Sequence, residues 1–159
     1  MNLPPWLFIA VVTVLVAIVT NRSLKPDDMR WFNRLQRPPW LTFEGAIPLI
    51  WTIVFIGGAW SAVLVWNADP GSLQTWVLMA YYLVLELVTL SYTLVMCRTR
   101  SLRVGTILGG TGAILSILLA IAVQPVSSVA AWLLFPYILW SPIGTYTTFA
   151  MVRYNPNDA

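Results

Sequence analysis

RWFNRLQRPPWLTFEGAIPLIW, residues Arg30 to Trp51, changes character partway along. Its first half sets Arg30, Arg34 and Arg37 beside Trp31 and Trp40; its second half turns apolar and reaches Trp51. Tryptophans next to basic groups suit a membrane–water boundary, where indole rings and snorkelling cations are both favoured. The stretch reads as a long first loop acting as a lid, lying on a membrane surface and running into a transmembrane helix.

The rest of the chain agrees with that reading. Hydrophobic residues make up 58% of the sequence and charged residues 9%, and the mean hydropathy is +0.76; soluble domains are far more polar. A helix needs roughly 20 apolar residues to cross the hydrocarbon core. Runs at about 4–20, 45–66, 73–97, 104–123 and 129–152 qualify. Beyond the first connection the intervals are short, which leaves no room for a soluble domain. The expected fold class is all-α, one integral membrane bundle of five transmembrane helices over residues 1–159. The first run could be a secretory signal, but Met1-Asn2-Leu3 carries no side-chain positive charge and Thr20-Asn21-Arg22-Ser23 offers no small-x-small cleavage pattern. It is read as a retained helix. Cys97, the single cysteine, cannot form an intramolecular disulfide.

With five spans, all nine Lys and Arg residues fall on one face: Arg22, Lys25, Arg30, Arg34 and Arg37 on the first loop, Arg98, Arg100 and Arg103 on the third, and Arg153 on the tail. The positive-inside bias puts the first loop and the C-terminus in the cytoplasm. Adding or removing one helix would scatter these charges. The net charge of +3 then reflects topology and anionic lipid headgroups, and no nucleic-acid partner is expected. No mitochondrial-type targeting segment is evident, so a bacterial membrane is expected.

Helices in lipid associate through close fit and polar contacts, so small residues mark seams. Gly105, Gly109 and Ala113, with Gly112, Ser116 and Ala120 beside them, and Gly57 to Ala62 on the second span, are such rows. They suit packing within the chain, or a homodimer. Glu86 is the one carboxylate deep in a span, where an unsolvated charge costs at least ~2.5 kcal/mol. It shares a face with Tyr82, Thr89 and Thr93. It could be a neutral acid bonded to a neighbouring helix, or part of a ligand cavity or proton path. Ile47, Trp51, Phe55 and Gly58 share a face of the second span, and Trp132, Pro136, Trp140, Gly144 and Thr148 one of the fifth. A large ring beside a small residue makes a slot for a flat apolar ligand. Trp6, Trp66 and Trp76 sit at span ends and read as interfacial anchors.

Two blocks carry a resemblance to a known family: Arg30-Trp31-Phe32 with Leu35-Gln36-Arg37-Pro38-Pro39-Trp40 running to Trp51 and Phe55, and Leu133-Leu134-Phe135-Pro136-Tyr137-Ile138-Leu139-Trp140 after Ala130-Ala131. They resemble the TspO family of tryptophan-rich sensory proteins, also called translocator proteins or peripheral benzodiazepine receptors. The resemblance implies a five-helix bundle, often a homodimer, with the first loop folded over a pocket. It also implies porphyrin ligands such as protoporphyrin IX, and cholesterol and synthetic drugs for the animal members. The positions matching the family's pocket are Trp31, Trp40, Trp51 and Trp140. The chain departs from the family pattern after Trp40, where it reads Leu41-Thr42-Phe43-Glu44-Gly45, and on the third span, where Leu85, Thr89, Leu90 and Tyr92 replace the usual Gln, Asn and Trp residues. Thr148 and Val152 replace an Asn and a Trp on the fifth.

The expected binding set is Trp31, Arg34, Trp40, Ile47, Trp51, Phe55, Glu86, Thr89, Tyr92, Trp140, Gly144 and Thr148. No cofactor is required. A bound porphyrin, protoporphyrin IX or a haem-like ring, would lie against Trp51 and Trp140 with its propionates at Arg34 or Arg37. The chain has no histidine, so a metal-free ring suits it better than an axially ligated haem. A sterol-like ligand is the lesser expectation, from Leu90-Ser91-Tyr92 followed by Arg98. Three classes of function stay open: a tetrapyrrole transporter or sensor, a structural or partner-binding membrane subunit, and a light-dependent porphyrin-degrading enzyme. No nucleophile, metal cluster or carboxylate pair supports the last.

Overall fold

The computed structural model describes residues 4–159; the Met1-Asn2-Leu3 segment lies outside them. Five helices are long and apolar enough to cross a membrane: Pro5–Arg22, Glu44–Ala68, Leu73–Thr99, Leu102–Val123 and Ser128–Tyr154. Each boundary lies within two residues of the one read from hydropathy. In detail the elements are α1 (Pro5–Arg22), α2 (Pro26–Arg34), α3 (Ile47–Ala68), α4 (Leu73–Thr99), α5 (Leu102–Val123), α6 (Ser128–Leu133) and α7 (Phe135–Tyr154). Single 3-10 turns at Glu44–Ala46 and Pro156–Asp158 lead into α3 and follow α7. No strand occurs among the described residues.

Local chemistry sets the ends. Pro5 and Pro26 stand at the starts of α1 and α2, where a missing N–H costs nothing. Ser72, Ser101 and Ser127 cap α4, α5 and α6, accepting the backbone N–H groups of Thr75 at 3.1 Å, Val104 at 3.3 Å and Ala130 at 3.2 Å. Each such cap contributes about 1 kcal/mol. Arg100 adopts the left-handed conformation, φ 50°, and turns the chain from α4 into α5 across two residues. The first connection is more structured than a loop, because α2 carries Asp27 and Asp28 in its first turn. The Asp28 carboxylate accepts the Lys25 N–H at 2.9 Å.

Glycines decide the central seam. A Cβ on Gly109 would lie 2.6 Å from Thr145 Oγ1, one on Gly112 2.9 Å from the Tyr137 hydroxyl, and one on Gly105 against Met96. The α5 row is therefore used within the chain, against α7 and the end of α4. Gly57 likewise passes under the Leu133 carbonyl, 2.6 Å from where its Cβ would be. Nearby, the buried Ser61 donates to the Ala130 carbonyl at 2.7 Å and bonds the Tyr82 hydroxyl, joining α3, α4 and α6 at one polar point. By contrast, α1 buries none of its side chains and leans on α3 and α4 along one side only.

The fifth-span aromatic row does not run unbroken. The helix is interrupted at Leu134, two residues before Pro136, and Trp132 on α6 is 71% exposed while Trp140 on α7 is buried. The interruption resets the helical phase, so four-residue spacing across it no longer marks one face. Trp6 and Trp76 are exposed near helix starts, and Trp66 meets Trp76 edge to face at 4.9 Å.

Candidate ligand cavity

A cavity of about 300 Å³ opens among α3, α4, α5 and α7, and residues of the first connection contribute to its wall. Ile47, Trp51 and Phe55 come from α3 at four-residue intervals; Thr89, Tyr92 and Thr93 from α4; Trp140, Gly144 and Thr148 from α7. Trp51 holds Phe55 at 5.9 Å and meets Tyr137 edge to face at 6.1 Å. Its size lies at the lower end of small-molecule pockets, about 300–1,000 Å³.

The polar side chains of the wall are largely bonded to one another. Thr89 bonds Tyr137, and Tyr92 bonds Thr148, both between α4 and α7. Thr89, Tyr92 and Thr148 are positions where the sequence reading finds a departure from the family pattern, and their hydroxyls are spent on tying the two helices together. Among the buried polar atoms of the wall, Trp140 Nε1 has no partner. An unbonded indole N–H costs about 1–3 kcal/mol once sequestered, which a ligand acceptor would recover.

The first connection supplies Phe32, Arg37, Leu41 and Glu44 to the wall. Arg37 is knitted into its own segment: Nη1 donates to the carbonyls of Phe32 at 2.8 Å and Leu35 at 2.5 Å, Nε donates to Glu44 at 3.1 Å, and the guanidinium lies over the Phe32 ring at 4.8 Å. The C-terminal tail holds the same segment. Asn155 takes the Gln36 N–H at 2.8 Å and donates to the Gln36 carbonyl at 2.9 Å, while Asp158 accepts from Trp31 Nε1 and from Arg34, both at 2.7 Å. Arg98, in the last turn of α4, reaches the Ser23 carbonyl at 3.0 Å. The basic first connection, the end of α4 and the tail thus meet at one end of the bundle.

Eight of the twelve residues expected from sequence line this cavity. Four do not. Trp31 is buried in a separate apolar cluster with Leu35, Met96, Cys97, Leu102 and Met151, because α2 turns its ring toward the helix ends. Arg34 is outside, paired with Asp158. Trp40 is 41% exposed and stacks on Tyr146 at 5.8 Å. Glu86 lines a second, smaller cavity. The α5 wall, Leu108, Gly109 and Gly112, lies outside the set expected from sequence, where the glycines signal packing alone. Tyr137 is a further wall residue outside that set, although the Pro136-Tyr137 motif pointed to it.

Comparison with known proteins agrees with this architecture. The TspO/MBR family model matches residues 2–153. The chain is 30% identical over 134 residues to the "Uncharacterized membrane protein YtaB" of Bacillus subtilis (strain 168), covering 83% of this chain and 84% of that one. It is 29% identical over 133 residues to the "Tryptophan-rich protein TspO" of Bacillus cereus, covering 83% and 85%. With five membrane-length helices and a family match across nearly its whole length, this chain belongs to the TspO/MBR family.

Proposed function

We propose that this TspO-family membrane protein binds a flat apolar molecule of the porphyrin class in the Trp51–Trp140 cavity and acts in its transport or sensing. The observation that carries the reading is the cavity itself: a tryptophan from α3 and one from α7, small residues in the same wall, and side chains of the first connection beside them. A tetrapyrrole edge would stack on the indoles and offer a ring or carboxylate acceptor to Trp140 Nε1. Its propionates would extend toward Arg37, whose Nη2 donors are uncommitted among the described residues. In this reading the first connection is the lid, and the tail residues Asn155 and Asp158 hold it shut. The positive-inside bias of the nine cations supports a cytoplasmic position for that end in this reading.

Titrating protoporphyrin IX into the purified protein tests the reading. Saturable quenching of tryptophan fluorescence is expected, with affinity about tenfold weaker when Trp51→Phe and Trp140→Phe are combined. Quenching that is absent, or that the double substitution leaves untouched, would remove this site from consideration.

A further inference from the structure

The second cavity, about 70 Å³, lies where α1 leans on α3 and α4, and Thr13, Gly58, Tyr82 and Glu86 contribute to its walls. Glu86 Oε2 accepts a long bond, 3.4 Å, from the Thr13 hydroxyl, and Oε1 is sequestered without any partner. The neighbouring phenol hydrogens are already committed, Tyr82 donating to Ser61 and Tyr137 to Thr89, because Ser61 and Thr89 donate to the Ala130 and Leu85 carbonyls. No Lys or Arg lines the cavity. An acid in such a place, with half its hydrogen-bonding capacity unused, is costly unless a ligand completes it.

The wall also carries three aromatic rings, Phe55, Tyr82 and Tyr137. Rings around a lone carboxyl group suit a cation, through the ring quadrupoles and the ion pair together. Space of about 70 Å³, roughly two water-sized groups, fits an amine head and the first carbon of its chain; a tetrapyrrole is far too large. None of the α1 side chains is fully buried, so the α1 side is where a molecule dissolved in lipid would enter.

We propose that the Glu86 cavity is a binding site for lipophilic amines, distinct from the Trp51–Trp140 cavity. A neutral amine dissolved in lipid enters beside α1 and takes the proton of the Glu86 carboxyl group. The O–H bond breaks as the N–H bond forms, giving a carboxylate–ammonium pair with no net charge brought into the bilayer. The amine, a base with a pKa near that of lysine, about 10.4, is the stronger acceptor relative to an ordinary carboxylate, about 4.3.

Octylamine titrated into the full chain in a neutral detergent, with octanol as the uncharged control, tests this. Octylamine should bind saturably and octanol should not, and Glu86→Gln should weaken octylamine by about tenfold or more. The infrared carbonyl band of the protonated carboxyl should disappear as octylamine binds, and should be missing from Glu86→Gln throughout. Should Glu86→Gln fail to fold, Gly58→Leu provides a second arm: a Cβ there meets nothing within 4 Å, so the added chain fills the cavity and should block octylamine while leaving helix content unchanged. Equal binding of octanol, unchanged affinity in either substituted protein, or a carboxyl band that persists at saturation would each overturn the proposal. Protoporphyrin binding bears on the other cavity alone, so the two readings fail separately.

Discussion

The two cavities meet at Phe55, Thr89 and Tyr137, which line both, yet they are built on opposite terms. In the larger one α5 and α7 approach through glycines, and the wall hydroxyls bond one another across helices. In the smaller one the helix in front, α1, has no buried side chain, and its acid is left half unpaired. Close packing in the first case holds a shape ready for a ring. Loose packing in the second leaves a polar group that needs something brought to it.

The sharpest way to break that contrast is to add one methyl group to each. Gly109→Ala drives a Cβ to 2.6 Å from Thr145 Oγ1 and 3.5 Å from the Thr145 backbone, whereas Gly58→Ala meets nothing within 4 Å. The first should cost about 1–3 kcal/mol through overpacking; the second should gain up to about 1 kcal/mol from helix propensity. Thermal unfolding of both in one detergent reads the difference, and equal midpoints would mean that the seam is no tighter than the α1 side.

An effect smaller than the spread between those two glycine variants separates the cavities by their connection to the tail. Asn155→Ala removes both bonds to Gln36 and one to the Met151 carbonyl, at about 1–3 kcal/mol of local stability. Amide exchange at Gln36 should quicken, and protoporphyrin should leave the large cavity about tenfold faster, with octylamine binding unchanged. If the tail does not hold the first connection, neither rate will move.

The smallest expected effect lies at the partition. Tyr137→Phe deletes the bond to Thr89 without changing the ring, at a cost of about 1 kcal/mol. Thr89 still donates to the Leu85 carbonyl at 2.7 Å, so the loss should be partial and should weaken both ligands alike. A change confined to one ligand would show that the cavities are not coupled through this pair.

Much of this was legible in the sequence where periodicity or hydropathy carries it. The five spans follow from apolar length, and Ile47, Trp51 and Phe55, like Trp140, Gly144 and Thr148, follow from four-residue spacing on continuous helix. Trp132 shows the limit: identical spacing failed across the break at Leu134. Residues of the first connection have no period to read, so nothing local distinguished Arg37, which lines the cavity, from Arg34, which pairs with Asp158. The bonds of Asn155 to Gln36 span 119 positions, a distance at which single-sequence patterns carry no information. Glycines are ambiguous for another reason, since Gly109 and Gly112 form a packing seam and a cavity wall at once.

The tail clasp has a practical side for anyone handling the protein. Asp158 is one residue from Ala159, and its carboxylate already serves both Trp31 and Arg34. A purification tag or fluorescent reporter joined after Ala159 therefore begins beside that clasp and competes for room with α2. Such a fusion should report a looser first connection than the untagged chain possesses, and hydrogen exchange at the Trp31 indole N–H, compared before and after proteolytic removal of the tag, would expose the artefact.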